Sequence, residues 1–237
     1  MATQAEPKLK TIQIQTHLQS LIAITTRSEL YTSVIPALTD AIAQIAEKLR
    51  QSQQVAAIIG VLGPRTTTII ALNIPGEPRI CFEIGISGSG GDTTLVRPAI
   101  HFTSQPFKTR YFAPANLRAA AESAAYARLI DHYIQSKYTL RYSGGLVPDV
   151  VHMLVKGHGV YVSPVTGASK AKLRRLYELY PMALVVECAG GKAISTEDGK
   201  HILDHVLTDC DERAGIACGT AEEVDFVRSA LLKEDTE

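Results

Sequence analysis

The chain has 237 residues, of which 46% are hydrophobic and 20% are charged. Its 24 lysines and arginines balance 24 aspartates and glutamates, so the net charge gives no argument for a nucleic-acid or membrane partner, and we expect neither. This composition is typical of a globular protein with one large domain or two small ones. A site for an anionic ligand must therefore be built locally.

Cysteine usage and the first residues bear on the compartment. The four cysteines are widely spaced and form no CxxC pair, which favours reduced thiols over a disulfide framework or a zinc site. The start of the chain has no apolar signal core, and no apolar run approaches the length that spans a bilayer. We therefore expect a cytoplasmic protein.

Two helices are predicted before the first strand. Residues 12–24 have the pattern of an amphipathic helix. A stronger pattern follows, because apolar residues recur at three- and four-residue spacing from Leu30 to Leu49. Pro36 lies inside this pattern, so we expect a kink or a helix start near it.

Short apolar runs then predict strands. Residues 55–62 and 66–74 flank Gly63-Pro64-Arg65, an arrangement typical of a β-hairpin. Further strands are predicted at residues 80–84, 95–102 and 109–113. The segment GISGSGG at residues 85–91 predicts a flexible loop, and it is not a P-loop because no Lys-Ser/Thr follows it.

From residue 109 onward, predicted strands and helices alternate. The helices cover residues 116–134, 147–155 and 170–189, and a last one begins at Thr220. The strands between them cover residues 138–142, 159–162 and 214–218. Such alternation favours an α/β layer in the C-terminal half.

Two polar clusters are candidates for binding a phosphorylated ligand. Asn116, Arg141 and Tyr142 carry hydrogen-bond donors, and the planar guanidinium of arginine suits a phosphate. Lys172 and two arginines open the helix predicted at residues 170–189, where they can hold a phosphate or form a solvated face. Taken alone, each of these residues is more often structural.

Two further patterns concern metals. Glu178 can bind Mg²⁺, which prefers carboxylate, water and phosphate oxygens, or it can face solvent as helix glutamates usually do. His201 and His205 are spaced i, i+4, as paired ligands can be. The glutamate of an HExxH motif is absent between them, so we favour a surface position for both.

Several stretches together resemble the class I sugar bisphosphatases. The similarity is carried by KYTLRYSGGLVPDV (137–150), KAKLRRLYELYPMA (170–183), ECAGGKA (187–193) and ILDHVLTDCDER (202–213). It extends back through VAAIIGVLGPRTT (55–67) and FAPANLRAA (112–120). The chain is most similar to the sedoheptulose-1,7-bisphosphatases of this family, and next to its fructose-1,6-bisphosphatases.

The resemblance implies a layered α/β/α fold and removal of the 1-phosphate of a ketose bisphosphate with Mg²⁺ and an activated water. Position by position, Asn116, Arg141 and Tyr142 match residues that hold the distal phosphate. Lys172 matches a lysine that contacts the sugar phosphate, and Glu178 matches a glutamate that binds metal. In the family the arginine reaches in from a neighbouring subunit, so we expect a homo-oligomer, or a hetero-oligomer with an intact paralogue.

The sequence departs from the family pattern in two places. A metal-binding signature, D-P-x-D-G-S-S, is expected before the strand at Val55, but KLRQSQQ passes directly into VAAIIG. Ser163 stands where fructose-1,6-bisphosphatases carry a substrate-contacting tyrosine, which weakens a fructose-specific interpretation. We therefore predict a shortened N-terminal α/β half at residues 1–110 and an intact sugar-phosphate-binding α/β half at residues 111–237.

Two functional hypotheses follow from the resemblance. The first is a phosphatase for sedoheptulose-1,7-bisphosphate or fructose-1,6-bisphosphate that is impaired by the loss of its acidic metal site, since Glu178 alone is a poor Mg²⁺ site. The second is a non-catalytic protein that binds a sugar phosphate or assembles with an intact paralogue. Neither hypothesis assigns a catalytic residue.

Overall fold

A computed structural model of the chain describes residues 54–63, 65–86 and 93–232. All of these residues belong to one compact unit, Gln54–Glu237. The helices predicted before residue 50, and most of the predicted glycine-rich loop, lie outside the described residues. The division predicted at residue 110 falls in the connection between two sheets and stays a prediction.

The first sheet is antiparallel and is built from the apolar runs at the start of the described chain. Its strands are β1 (Ala56–Val61), β2 (Thr66–Leu72), β3 (Ile80–Ile86) and β4 (Thr93–Arg97), paired in that order. Alternate residues of β2 are buried, as expected for a strand with one face on the core. The predicted hairpin is confirmed, with Ala57 opposite Ala71.

The third strand runs further than the sequence predicted. Gly85 was expected to begin a loop, but it belongs to β3 and pairs with Thr94 of β4. A Cβ atom at this glycine would lie 3.1 Å from the side chains of both Thr94 and Val96. The glycine therefore marks a close approach between two strands, and the loop prediction is wrong at this residue.

Seven short strands follow. They are β5 (Tyr111–Pro114), β6 (Thr139–Leu140), β7 (Val160–Ser163), β8 (Leu173–Arg174), β9 (Lys192–Ile194), β10 (Arg213–Ala214) and β11 (Ile216–Gly219). Five of them form a second sheet in the order β6-β5-β7-β11-β9. In this sheet β6, β5 and β7 are parallel, whereas β11 is antiparallel to both of its neighbours. The strands β8 and β10 form a separate antiparallel ribbon.

The α-helices of the described chain are α1 (Ala124–Gln135), α2 (Leu146–Lys156), α3 (Tyr180–Cys188) and α4 (Ala221–Leu232). The helix α1 begins later than predicted, because a 3₁₀ turn (Leu117–Ala121) comes first. Ser123 then caps α1, since its hydroxyl accepts a hydrogen bond from the backbone N–H of Tyr126 at 3.2 Å. Within the described ranges, no helix has the length and apolar character needed to cross a membrane.

The β8–β10 ribbon replaces the first part of the long helix predicted at residues 170–189, so that prediction is wrong there. The backbone N–H of Arg175 donates to the carbonyl of Glu212 at 2.8 Å. A π-helical turn (Arg175–Leu179) then leads into α3, whose first turn accommodates Pro181. Pairing with β10 overrides the helical propensity of this basic segment.

Helices and sheets stack in layers. The helix α3 lies between the two sheets, against β1 and β2 on one side and β9 on the other. It is buried along the run Met182 to Val186, as expected for a helix that is apolar all round. The helices α1 and α4 cover the opposite face of the second sheet, where Tyr126, Tyr133 and Val227 are buried. The predicted layered α/β fold is confirmed.

The parallel strands β5, β6 and β7 end at one edge of the second sheet. Asn116 follows β5, Arg141 follows β6, and the loop of residues 164–172 follows β7. Strand direction reverses between β7 and β11. In open α/β sheets, ligands bind outside the carboxyl ends of parallel strands where the strand order or direction changes. This edge is therefore where a site is expected.

Candidate functional site

A cavity of about 510 Å³ opens at this edge. The 3₁₀ turn after β5 forms one wall, the loop between β7 and β8 forms another, and the β8–β10 ribbon adds a third. Its polar lining consists of Asn116, Arg118, Glu122, Ser169, Lys170, Lys172 and Arg213. The structure thus brings together two of the four predicted substrate-binding residues, Asn116 and Lys172.

Positive charge dominates the cavity wall. Four of its side chains are cations, and none of the four makes an ion pair with another residue of the described chain. The lining carboxylate, Glu122, accepts hydrogen bonds from the hydroxyls of Thr166 and Ser169. The Glu122 carboxylate is therefore hydrogen-bonded to the loop that follows β7. Four cations and one hydrogen-bonded carboxylate give the cavity an excess of positive charge, which suits an anionic ligand such as a phosphate.

Asn116 contributes a polar group that has no partner. Its backbone is left-handed, with φ 52° and ψ 50°, a conformation that asparagine tolerates better than most residues. The side-chain oxygen Oδ1 is buried and accepts no hydrogen bond from the described residues. Buried polar atoms are normally bonded. An amide offers both donors and an acceptor, so Asn116 can bond a hydroxyl or a phosphate oxygen of a ligand.

Arg141 and Tyr142 are placed elsewhere. Neither lines the cavity, and Tyr142 is 44% exposed. The guanidinium of Arg141 lies over the ring of Tyr111, 5.6 Å from its centre, and one of its amino groups donates to the carbonyl of Leu140 at 2.9 Å. Tyr111 begins β5, whereas Asn116 follows the end of that strand. The arginine is therefore not brought to the cavity of its own chain.

The carboxylate of Glu178 is hydrogen-bonded to the backbone. Its Oε2 accepts a hydrogen bond from the N–H of Arg174 at 2.7 Å. A protein-bound Mg²⁺ usually takes several oxygen ligands in octahedral geometry. The described ranges contain no cluster of three or more His, Cys, Asp or Glu side chains that could hold a metal. The described residues therefore do not fit a magnesium site, and Glu178 as a metal ligand stays a prediction.

The cavity is also lined by four charged residues that were not among the predicted binding residues: Arg118, Glu122, Lys170 and Arg213. Arg213 reaches the cavity because β10 pairs with β8, so it lies opposite Arg174 and close to Lys172. That pairing is long-range and has no local signal. The run KAKLRR did signal a cationic surface, but the predicted helix placed its side chains wrongly.

His201 and His205 line a second, smaller cavity of about 160 Å³. Each imidazole is partnered by a different carboxylate, His201 by Glu187 at 3.6 Å and His205 by Glu212 at 2.6 Å. Both side chains are exposed, so the predicted surface position is confirmed. Hydrogen bonds from the Thr208 hydroxyl and then from His205 hold the pKa of Glu212 down to about 2.

Comparison with known proteins identifies the class. A model of the fructose-1-6-bisphosphatase C-terminal domain matches residues 105–232, which is more than half of the chain. The matched region contains the whole second sheet, the ribbon and the cationic cavity. The chain therefore belongs to the sugar bisphosphatase family.

Individual relatives agree with this assignment. The chain is 39% identical over 173 residues to the chloroplastic sedoheptulose-1,7-bisphosphatase of Spinacia oleracea, covering 72% of this chain and 42% of that protein. It is 35% identical over 188 residues to the class 1 fructose-1,6-bisphosphatase of Syntrophotalea carbinolica, covering 77% and 54%. A crystal structure of a Toxoplasma gondii protein named as a sedoheptulose-1,7 bisphosphatase superposes with a TM-score of 0.68 at 37% identity, covering 76% and 57%. The chain spans about half the length of these relatives.

Proposed function

We propose that the cavity binds the phosphate group of a ketose phosphate, with Lys172 supplying charge and Asn116 an amide hydrogen bond. One observation carries this proposal: four cations without an ion-pair partner in the described chain line the cavity. The buried amide oxygen of Asn116, which has no hydrogen bond, can accept from a sugar hydroxyl, and the amide nitrogen can donate to a phosphate oxygen. The volume of about 510 Å³ suits a small ligand. Because the relatives are named for sedoheptulose and fructose bisphosphates, the proposed ligands are six- and seven-carbon ketose phosphates.

Hydrolysis is proposed to be impaired. The family reaction removes the 1-phosphate of sedoheptulose-1,7-bisphosphate or fructose-1,6-bisphosphate with the help of Mg²⁺. Among the described residues, Glu178 is the carboxylate that matches a metal ligand of the family. Its side chain already accepts a hydrogen bond from a backbone N–H. The signature D-P-x-D-G-S-S does not occur in the sequence. We therefore propose that the chain still binds the sugar phosphate but hydrolyses the bisphosphate poorly.

A second function, as an oligomer partner, is favoured by the position of Arg141. Its guanidinium lies over Tyr111, outside the cavity of its own chain. The family resemblance assigns this arginine to the distal phosphate of a neighbouring subunit. We propose that Arg141 completes the site of a second copy of this chain or of an intact paralogue. We also propose that this assembly forms in the cytoplasm.

Calorimetry of the purified chain with sedoheptulose 7-phosphate and fructose 6-phosphate tests the binding proposal. Removing the lysine charge in Lys172→Gln is expected to weaken binding about ten-fold, since charged hydrogen bonds contribute on the order of 1.5–3 kcal/mol. The matched control is Lys200→Gln, which removes the same charge from an exposed side chain at the smaller cavity. Equal binding by wild type and Lys172→Gln would sink the proposal.

Two further arms separate the alternatives. Mixing Arg141→Ala with Lys172→Gln chains should restore some tight sites if the arginine acts between subunits. In a mixed oligomer, the cavity of the Arg141→Ala chain keeps its own Lys172 and receives Arg141 from the neighbouring Lys172→Gln chain. No restoration in a confirmed oligomer argues against action between subunits. A phosphate-release assay with both bisphosphates and Mg²⁺ checks the proposed impairment, which rapid metal-dependent turnover would contradict.

A further inference from the structure

We infer that Tyr111 is a positioning residue, which fixes the guanidinium of Arg141 outside its own cavity and presents it to the ligand of a neighbouring subunit. This inference rests on the proposed function of Arg141. It adds a role for the aromatic ring over which this guanidinium lies.

Four planar groups lie in a row beside β5. The rings of Phe107 and His158 are stacked, with their centroids 4.5 Å apart and their planes inclined by 9°. His158 stacks in turn on Tyr111, at 4.9 Å and 25°. The guanidinium carbon of Arg141 lies 5.6 Å from the centre of the Tyr111 ring, within the range of a cation–π interaction. We call Phe107, His158 and Tyr111 the aromatic platform.

The platform is itself held in place. The two ring nitrogens of His158 lie within hydrogen-bond distance of two backbone carbonyls, those of Thr109 and Lys156. A neutral imidazole has one N–H, so it can donate to one of these two carbonyls and is held from that side. His152 meets the Tyr111 ring edge-on, with centroids 5.4 Å apart and planes at 89°. The backbone of Tyr111 is fixed in the second sheet by pairing with β6. The ring below Arg141 therefore has little freedom to move.

Arg141 is anchored at its backbone and at its ring contact. Its backbone N–H donates to the carbonyl of Phe112 at 2.9 Å, which continues the pairing of β6 with β5. One guanidinium N–H is used by the carbonyl of Leu140. No carboxylate of the described chain forms an ion pair with this guanidinium. Since a guanidinium carries five N–H donors, most of them remain free for a phosphate.

Stacking suits this task better than an ion pair would. A cation–π contact uses the flat face of the guanidinium, whereas a phosphate is bound along its N–H edge. A carboxylate partner would compete for the same donors. An aromatic ring therefore restricts the arginine without consuming the groups that bind ligand, and less conformational freedom is lost on binding.

The test measures binding of sedoheptulose 7-phosphate by the full chain at concentrations where it is oligomeric. Arg141→Ala is expected to weaken binding about ten-fold or more. Tyr111→Leu should weaken it about two- to five-fold, whereas Tyr111→Phe, which keeps the ring, should bind like wild type. In an Arg141→Ala background, Tyr111→Leu should have no further effect. The matched control is Tyr177→Leu, which removes a different tyrosine–arginine contact, that of Tyr177 with Arg174.

The outcomes separate the inference from the proposal beneath it. If Arg141→Ala binds normally, the proposed role of Arg141 fails and the inference fails with it. If Arg141→Ala weakens binding but Tyr111→Leu does not, or if Tyr111→Leu weakens the Arg141→Ala background equally, only the inference is overturned. NMR of the wild-type chain adds an arm that requires no folded variant. The side-chain protons of Arg141 should be shifted upfield by the Tyr111 ring, and unshifted signals would overturn the stacking.

Discussion

The carboxylate of Glu178 accepts a hydrogen bond from the backbone N–H of Arg174, four residues earlier, at 2.7 Å. Arg174 is the residue that precedes the π-helical turn leading into α3. The contact resembles the reciprocal half of a capping box, in which a glutamate early in a helix bonds the N–H of the capping residue. The geometry therefore gives Glu178 a structural role beside the metal-binding role that its family position suggests.

Replacing Glu178 should show which role operates. Glu178→Ala is expected to lower the free energy of unfolding by about 1 kcal/mol, because the N–H of Arg174 loses its acceptor. Glu178→Gln keeps a side-chain oxygen in the same place and should recover most of that loss. Urea denaturation followed by circular dichroism measures both changes.

Magnesium provides the counter-test for this residue. If the carboxylate acts in the fold alone, added Mg²⁺ should change the unfolding midpoint equally in wild type and Glu178→Gln. A Mg²⁺-dependent stabilisation or phosphate release that is present in wild type and absent in Glu178→Gln would show that Glu178 binds metal in the full chain.

Glu122 is expected to tune ligand affinity. It is the acidic residue of the cationic cavity, and it accepts hydrogen bonds from Thr166 and Ser169. Glu122→Gln keeps an acceptor for these hydroxyls but removes the negative charge, so inorganic phosphate should bind about two- to five-fold more tightly. Calorimetry at low salt measures the change, which should shrink at high salt because exposed charges are screened.

The control for Glu122 removes the same charge at another site. Asp225 lies on α4 and forms an ion pair with Lys192 of β9. Asp225→Asn breaks this ion pair and should leave phosphate binding unchanged. Weaker binding in Glu122→Gln would mean that this carboxylate orders the wall of the cavity more than it repels the ligand.

The sequence predicted most of the strands, because their signals are local. Alternating and apolar runs between Gly and Pro residues located β1, β2 and the first five residues of β3. The motif FAPANLRAA placed Asn116 after a strand, and parallel pairing then brought it to the ligand edge. Local pattern failed at residues 170–174, because Leu173 and Arg174 take their structure from pairing with β10, which lies about 40 positions later in the chain.

The candidate site could be predicted only in part. Asn116 and Lys172 were found through the resemblance, and the cavity contains both. Arg118 and Arg213 had no local signal, since an isolated arginine is usually solvated and only the folded chain shows its neighbours. The stacking of Arg141 on Tyr111 likewise depends on the register of two short strands, which the sequence does not specify.

Gly219 should not tolerate a side chain. It ends β11 with φ +143°, and a Cβ atom there would lie 2.1 Å from the carbonyl oxygen of Gly159. That carbonyl accepts from the N–H of Thr220, and the hydroxyl of Thr220 accepts from the N–H of Gly159. Gly219→Ala is therefore expected to destabilise the fold by about 3 kcal/mol or more, as measured by thermal unfolding.

Gly60 provides the matched control for this substitution. It lies in β1, and a Cβ atom there would meet nothing within 4 Å. Gly60→Ala should leave the unfolding temperature unchanged or raise it slightly, because alanine restricts the unfolded chain. Comparable losses in the two variants would show that the contact with Gly159 is not the cause.

A buried carboxyl on α4 should make stability depend on pH. Glu223 is 5% exposed, and the hydroxyl of Tyr138 donates to it at 2.9 Å. Burial raises the pKa of Glu223 above its ordinary value, while the hydrogen bond from Tyr138 and the charge of Arg110 oppose this shift. Burial also raises the pKa of Tyr138 to about 12, so the phenol remains a donor across the neutral range.

The sign of the pH effect follows from this raised pKa. The folded chain holds the Glu223 proton more tightly than the unfolded chain, so the contribution is complete below the ordinary pKa of 4.5 and is lost as pH rises through the folded value. Relative to wild type, Glu223→Gln should therefore gain stability between pH 4 and pH 7. Urea midpoints across this range measure the difference, and the raised pKa of Glu187 cancels because both proteins retain that residue. A variant that instead loses stability relative to wild type as pH rises would show that the ionised carboxylate is favoured by Tyr138 and Arg110 more than burial disfavours it.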